Sequence, residues 1–296
     1  MNTENRTIYA LGFFDGVHLG HQALLAACRE LAAKHSCKTG AVTFASHPDA
    51  LVTGKTPLLL NTAEERERTL FGYGAFHIHV LPFDKDLMNM PWQDFLEMLL
   101  EKDAGGFVCG EDFRFGRKGE GNGQKLADFC RQRGLHWAIV PEQMLDGVRI
   151  SSTHIRGLVE NGDMEEAAKF LGRPHMLSGF VTAGRQIGRT IGIPTANLLI
   201  PAEVVVPRVG VYATQCLVDG DLYAAVTNIG ARPTVGGHQV RAESWLLDFD
   251  GDLYGKHMTV LFHKFLRPEK KFDSLEELKA AIQKNAEETR NFFANK

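Results

Sequence analysis

The sequence predicts an α/β chain in two parts: an open sheet flanked by helices, then a small antiparallel barrel with a C-terminal helix. Three observations carry this. Apolar runs of strand length alternate with helical repeats in the first part. After Gly172-Arg173-Pro174 the β-branched runs shorten and are separated by Gly, Pro, Asn and Asp at intervals suited to hairpins. A chain of 296 residues, 44% of them hydrophobic, also fills two modest cores more readily than one.

The first strand is Ile8 to Leu11, and a helical segment follows from Gln22 to Lys34. Between them stands Gly12-Phe13-Phe14-Asp15-Gly16-Val17-His18-Leu19-Gly20-His21. A helix N-terminus leaves backbone N–H groups unpaired and carries partial positive charge, so it holds a phosphate without any large side chain. Gly12, Gly16 and Gly20 let the chain approach that phosphate closely. His18 and His21 add N–H donors that can follow charge as it grows on phosphate oxygens. A His pair at this spacing also suits a metal, but no third ligand lies nearby in sequence.

Thr39 to Phe44 reads as a buried strand ending at Ala45-Ser46-His47-Pro48, which puts His47 where ligand groups gather on an open α/β sheet. Thr62 and Glu65 have capping-box spacing and open a helix to about Phe71. Ile78 to Phe83 is the next strand, and from Pro91 a helix places Trp92, Phe95, Leu96 and Leu99 at core spacing. The strand Phe107 to Gly110 leads into a surface loop, Glu111 to Gly119, that mixes aromatics, charges and glycines. Ser151, Ser152 and Thr153 then offer caps for a helix whose Arg156 can grip an anion at its mouth. Met164 to Leu171 is a short closing helix, and the linker follows.

In the second part, strands are expected over Met176 to Thr182, Gly210 to Val218, Leu222 to Asn228, Ala242 to Phe249 and His257 to Phe262. Asp219-Gly220 and Asp250-Gly251-Asp252 are hairpin signals. Gly184 to Asn197 is a basic, glycine-rich stretch with the wrong spacing for a Walker A loop, yet suited to arch over phosphates. Thr195 and Asn197 present two oxygen donors on one side of an extended segment; these suit magnesium, though such a string is more often only a turn. Asp273-Ser274 caps a final amphipathic helix with Leu275, Leu278 and Ile282 facing inward.

These strings resemble a known family. Gly12 to His21 is similar to the H-x-G-H signature of nucleotidyltransferases, in the form found in bacterial bifunctional riboflavin kinase/FAD synthetases. Gly110 to Gly116, Ser151 to Arg156, Gly184 to Asn197, Gly210 to Ala213, Asn228 to Thr234 and Leu247 to Gly255 resemble further elements of that family. The resemblance implies a Rossmann-like nucleotidyltransferase domain over residues 1–172 and a β-barrel riboflavin kinase domain over 173–296. It implies phosphorylation of riboflavin by ATP to FMN, and adenylylation of FMN by ATP to FAD with release of pyrophosphate.

By the same resemblance His18 and His21 stabilise the transition state at the α-phosphorus of ATP, and Phe14, Asp15, Gly16 and Gly20 belong to the phosphate-binding string. Ser152, Thr153 and Arg156 meet the triphosphate, and Asp112 and Asp163 the flavin nucleotide. In the barrel, Gly184, Gly188 and Arg189 cover phosphates, Thr195 and Asn197 hold Mg2+, and Glu243 is the general base. The chain departs from the family pattern at Ala45-Ser46, where Asp-Pro is usual, and at Ser244-Trp245, where the base is usually followed by x-His. Retention of one activity alone, or a flavin-binding regulator without turnover, therefore stands as an alternative.

A net charge of −3 with no basic stripe argues against a nucleic-acid partner. The five cysteines are scattered without C-x-x-C spacing, against a disulfide framework or zinc site and for a reducing cytoplasm. A polar N-terminus and the lack of a long apolar stretch predict a soluble protein without membrane association.

Overall fold

The computed structural model of the protein describes residues 6–182, 192–234 and 237–295. By internal contacts the chain divides into two units, Met1–Ser152 and Thr153–Lys296.

The first unit is built on five strands, β1 (Thr7–Leu11), β2 (Lys38–Phe44), β3 (His77–Leu81), β4 (Ala104–Gly110) and β5 (His136–Val140). They pair all in parallel in the order β3-β2-β1-β4-β5. A central parallel strand is covered on both faces, which is why β1 is buried along its whole length and runs Ile8-Tyr9-Ala10-Leu11 after Thr7. Its alternation sorts two cores. Ile8 and Ala10 pack with Leu24, Leu25 and Cys28 on one face, while Tyr9 and Leu11 pack with Phe95, Leu96 and Leu99 on the other.

Six helices, α1 (Leu19–Lys34), α2 (Asp49–Val52), α3 (Ala63–Gly72), α4 (Lys85–Asn89), α5 (Trp92–Leu100) and α6 (Gly123–Arg133), run between these strands. The expected capping box is formed at α3, with Thr62 Oγ1 accepting from Glu65 N–H at 3.2 Å and Glu65 accepting from Thr62 N–H at 2.9 Å. Strand order reverses direction between β1 and β4, and a ligand on such a sheet sits outside the carboxyl ends of the strands at that point.

After the two-stranded hairpin β6 (Met144–Leu145) and β7 (Val148–Arg149) come α7 (Ser152–Asn161) and α8 (Met164–Leu171). The second unit carries β8 (His175–Phe180), β9 (Ala196–Leu199), β10 (Gly210–Val218), β11 (Asp221–Thr234), β12 (Gly237–Leu246) and β13 (His257–Arg267). They form an antiparallel sheet in the order β8-β13-β10-β11-β12-β9. Just past β8, Thr182 bridges to Asn197 on β9 and donates its N–H to the Asn197 carbonyl at 2.9 Å, which nearly closes the barrel. The Asp219-Gly220 signal makes the tight hairpin it predicts, with φ values of 53° and 95° and Val218 paired to Asp221.

Two expectations need correction here. Asp250-Gly251-Asp252 does not turn a tight hairpin, because β12 already ends at Leu246 and β13 begins only at His257. The C-terminal helix, Leu275–Ala294, is capped by Ser274 as expected, but Leu275 is 51% exposed and the residues it buries are Asn285, Ala286 and Thr289. None of the five cysteines, all within the described residues, forms a disulfide, and four are buried.

Candidate active sites

The turn after β1 is strained. Phe14, Gly16 and Val17 have φ of 62°, 75° and 42°, and a positive φ at a β-branched residue such as Val17 is a backbone outlier that its surroundings must impose. Those surroundings are explicit. Phe14 and Val17 are fully buried, Asp15 Oδ1 accepts from Leu60 N–H at 2.8 Å, and Gly16 N–H donates to Asn61 Oδ1 at 3.3 Å. Thr43 Oγ1 holds the Phe13 carbonyl at 2.8 Å, and Ser152 Oγ holds the Asp15 carbonyl at 2.9 Å.

The turn delivers His18 to the N-cap of α1, where its Nδ1 accepts from His21 N–H at 3.3 Å. With Nδ1 used as acceptor, a neutral ring carries its proton on Nε2, which becomes a donor. Burial pushes His18 down to about 4, only partly offset by its backbone hydrogen bond. His21 stacks on it with ring centroids 3.7 Å apart and is lowered well below the ordinary value, first by burial and then by repulsion from His18. Both rings are therefore neutral at pH 7. Gly20 permits this arrangement, since a Cβ there would lie 3.1 Å from His18 Cε1 and 3.2 Å from Nδ1.

His18, Gly20 and His21 line a cavity of about 220 Å³. Gly12 and Phe13 enter it from the end of β1, Gly110 and Asp112 from the end of β4, and Arg149 and Ser152 from the hairpin and the start of α7. This is the point where strand order reverses. At the wall, Arg149 pairs with both Asp112 and Glu142, the latter at 2.8 Å. Phe13 also presents its ring to the edge of His47, 4.6 Å between centroids.

In the second unit the strand register does the assembling. Asn228 on β11 is opposite Glu243 on β12, which is opposite Asn197 on β9. Directly paired residues share a sheet face, so the three side chains form a row. Asn197 is 4% exposed; its Nδ2 donates to the Thr195 carbonyl at 3.3 Å, while its Oδ1 has no donor among the described residues. Asn228 Nδ2 donates to Glu269 at 3.1 Å. On the other face, Thr214, Thr227 and Ser244 link hydroxyls at 2.7 and 2.8 Å. Thr195 lines a separate cavity of about 380 Å³ with Pro194, Phe249 and Asp250 to Tyr254.

Comparison with known proteins matches residues 1–154 to FAD synthetase and residues 171–293 to riboflavin kinase. A bifunctional riboflavin kinase/FMN adenylyltransferase of Listeria monocytogenes is 34% identical over 296 residues, spanning 99% of this chain and 94% of its own length. The chain belongs to the bifunctional riboflavin kinase/FMN adenylyltransferase family. A member from Escherichia coli K12 is 37% identical over 290 residues, covering 97% and 92% of the two chains. A crystal structure described as a macrolide-efflux protein from Streptococcus pneumoniae superposes with a TM-score of 0.88 at 31% identity, over 98% of this chain and 96% of that one. No helix among the described residues is long and apolar enough to cross a membrane.

For a riboflavin kinase/FMN adenylyltransferase, the structure brings together His18, Gly20, His21, Asp112 and Ser152 around one cavity. Phe14 and Asp15 lie beneath the turn, and their side chains hold its shape rather than line the cavity. Thr153 and Arg156 are bonded to each other on α7, Nη2 to Oγ1 at 3.0 Å, and Asp163 is exposed at the start of α8 without a capping bond. Gly184, Gly188 and Arg189 fall outside the described residues. Sequence reasoning did not single out Arg149 or Asn61, and it took Asn228 only as the first residue of a family string. The Asp146-Gly147 turn, with φ of 51° and 78°, was the available signal for the hairpin that carries Arg149. Asn61 acts through loop path, which no local pattern reports, and the place of Asn228 beside Glu243 is set by strand register.

Proposed function

We propose that the two activities of this family are divided between the two sites, with FMN adenylylation at the cavity of His18 and His21 and riboflavin phosphorylation at the row Asn197, Glu243 and Asn228. The observation that carries the first assignment is the neutral His18, with Nδ1 committed and Nε2–H left as donor at the switch point of a parallel sheet. In that reaction an FMN phosphate oxygen attacks the α-phosphorus of ATP, the bond to the bridging oxygen breaks, and pyrophosphate leaves. No covalent enzyme intermediate is needed. The site aligns two anions and supplies donors to the oxygens on which charge grows. Arg156, Thr153 and Ser152 would add to the triphosphate contacts, and Asp112 and Asp163 to the flavin end.

For the kinase, Glu243 accepts or orients the ribityl hydroxyl proton while that oxygen attacks the γ-phosphorus, and ADP leaves. Mg2+ fits this row. A buried carboxamide oxygen without a donor, Asn197 Oδ1, is a hard acceptor of the kind the ion takes, and Thr195 adds a hydroxyl two residues away. Bound there, the ion would neutralise charge on the transferring phosphate. Gly184, Gly188 and Arg189 would close over the phosphates. The functional boundary is drawn at 172/173, where α8 ends on Gly172 with φ of 69°, although α8 itself shares its unit with the barrel. The chain would act in the cytoplasm, where riboflavin and ATP meet.

Incubation with riboflavin, ATP and magnesium, followed by separation of the flavins, tests the reading. FMN and FAD should both form. His21→Ala should abolish FAD but leave FMN, and Glu243→Ala should abolish FMN formation but convert supplied FMN to FAD. If both variants keep both products, the site assignments are wrong.

A further inference from the structure

Arg66, on α3, belongs to none of the motifs above, and it is 0% exposed. A buried guanidinium is costly unless its donors are used. Here only Nη2 is satisfied, by the Phe44 carbonyl at the end of β2, 2.8 Å away, while Nε and Nη1 find no acceptor among the described residues. The guanidinium carbon lies 4.4 Å from the centroid of the Phe13 ring. Phe13 lines the adenylylation cavity and Arg66 does not, so Arg66 stands behind Phe13, and the edge of His47 meets the same ring.

The chain just before Arg66 holds the same turn. Leu60 N–H meets Asp15, Asn61 meets Gly16, and Arg66 meets Phe13. Three residues of a turn with positive φ at Phe14 and Gly16, namely Phe13, Asp15 and Gly16, are thus fastened from one segment, and two of these contacts use ordinary backbone partners. The third uses a buried cation with two free donors. A purely structural contact would be made more cheaply by an apolar side chain.

We propose that Arg66 is a positioning residue for adenylyl transfer, holding Phe13, and through it the turn that carries His18 and His21, against the end of β2. This rests on the assignment of that reaction to the His18 and His21 cavity. Its effect falls on kcat rather than on ATP binding, because a small displacement of aligned groups costs rate before it costs affinity.

The test measures kcat and the ATP KM for FMN adenylylation in Arg66→Met, Arg66→Lys, Phe13→Leu and the Arg66→Met/Phe13→Leu double variant. Riboflavin phosphorylation and urea unfolding are followed on the same preparations. Arg66→Met should lower the adenylylation kcat about 30- to 100-fold, change the ATP KM less than about threefold and leave phosphorylation intact. Arg66→Lys keeps a cation over the ring and should recover to within about fivefold of the parent. Phe13→Leu should lower the same kcat about fivefold or more, and the double variant should be no worse than Arg66→Met.

An adenylylation kcat within about twofold of the parent in Arg66→Met, an equal loss in both reactions, or multiplying effects in the double variant would overturn the proposal. Should Arg66→Met fail to fold, Arg66→Lys, Phe13→Leu and their combination decide by the same criterion of non-additivity. His21→Ala runs alongside. FAD formation surviving it overturns the site assignment and this proposal together, whereas its loss with full kcat in Arg66→Met overturns this proposal alone.

Discussion

His18 has two jobs that one substitution can separate. Its Nδ1 caps α1 by accepting from His21 N–H at 3.3 Å, and its Nε2–H is the donor assigned to phosphate. The backbone at residue 18 is extended, with φ of −68° and ψ of 174°, the conformation in which asparagine is also a good N-cap. His18→Asn therefore keeps an acceptor for His21 N–H and removes the ring donor, while His18→Ala removes both. Loss of one preorganised donor to a developing oxyanion costs about 10²–10³ in kcat, or about 2.7–4 kcal/mol. With its pKa down to about 4 the ring is uncharged at pH 7, so we expect the lower end, about 10²-fold, for both variants. Stability should part them: loss of the cap costs about 1 kcal/mol in His18→Ala and little in His18→Asn. FAD formation from FMN and ATP, with urea unfolding of each variant, reads both quantities. If His18→Asn forms FAD within about threefold of the parent, the donor role is wrong and His18 is only a cap.

Gly20→Ala places a methyl 3.1 Å from the His18 ring, so the ring must shift; FAD formation should fall about tenfold while thermal unfolding stays level or rises, since alanine favours the helix. His175, 1% exposed on β8, is pushed down to about 3, chiefly by burial and then by Arg173. The folded state thus binds fewer protons than the unfolded one, so this stability is complete above pH 6.5 and is lost as pH falls toward 3. At pH 4.5 the loss should be about 3 kcal/mol, visible as a drop in urea stability between pH 7 and 4.5 that His175→Leu largely removes. An equal drop in the variant would refute it. Asn197→Ala should weaken riboflavin phosphorylation about tenfold or more at low magnesium, with partial recovery at high magnesium and unchanged conversion of supplied FMN to FAD. Recovery independent of magnesium would remove the ion from that site.

Much of the fold could be read where a local pattern forces it. The apolar run at β1, the capping box at Thr62 and the Asp219-Gly220 hairpin each follow from a few adjacent residues. On the C-terminal helix the expected apolar face is not the buried one: Leu275 is exposed, and burial falls instead on Asn285, which accepts from Arg267 Nε at 3.0 Å, with Ala286 and Thr289 beside it. Site residues divided the same way. His18, Gly20 and His21 lie in one string and were legible, whereas Asn61, Arg66 and Asn228 reach their sites through loop path or strand register, across 45, 53 and 15 residues from Gly16, Phe13 and Glu243 respectively.

The two departures from the family pattern can now be weighed by position. Ala45 and Ser46 are exposed, and Ala45 N–H still donates to the Leu81 carbonyl at 2.9 Å, so β2 stays paired to β3 up to the residue before Ser46. His47 beyond them still meets Phe13. At the other site, Ser244 points away from the row, fully buried, and completes the hydroxyl chain from Thr214 through Thr227. Trp245 packs against the cluster of Val211, Val226, Leu247 and Ala286. Strand alternation puts Glu243 and Ser244 on opposite faces, so Ser244 belongs to the core behind the row, whereas Trp245 shares the face of Glu243; the strand pairing of Glu243 with Asn197 and Asn228 is intact beside both. Neither departure breaks the strand pairing that sets Glu243 beside Asn197 and Asn228 or the contact of His47 with Phe13, and that geometry favours two working sites over one.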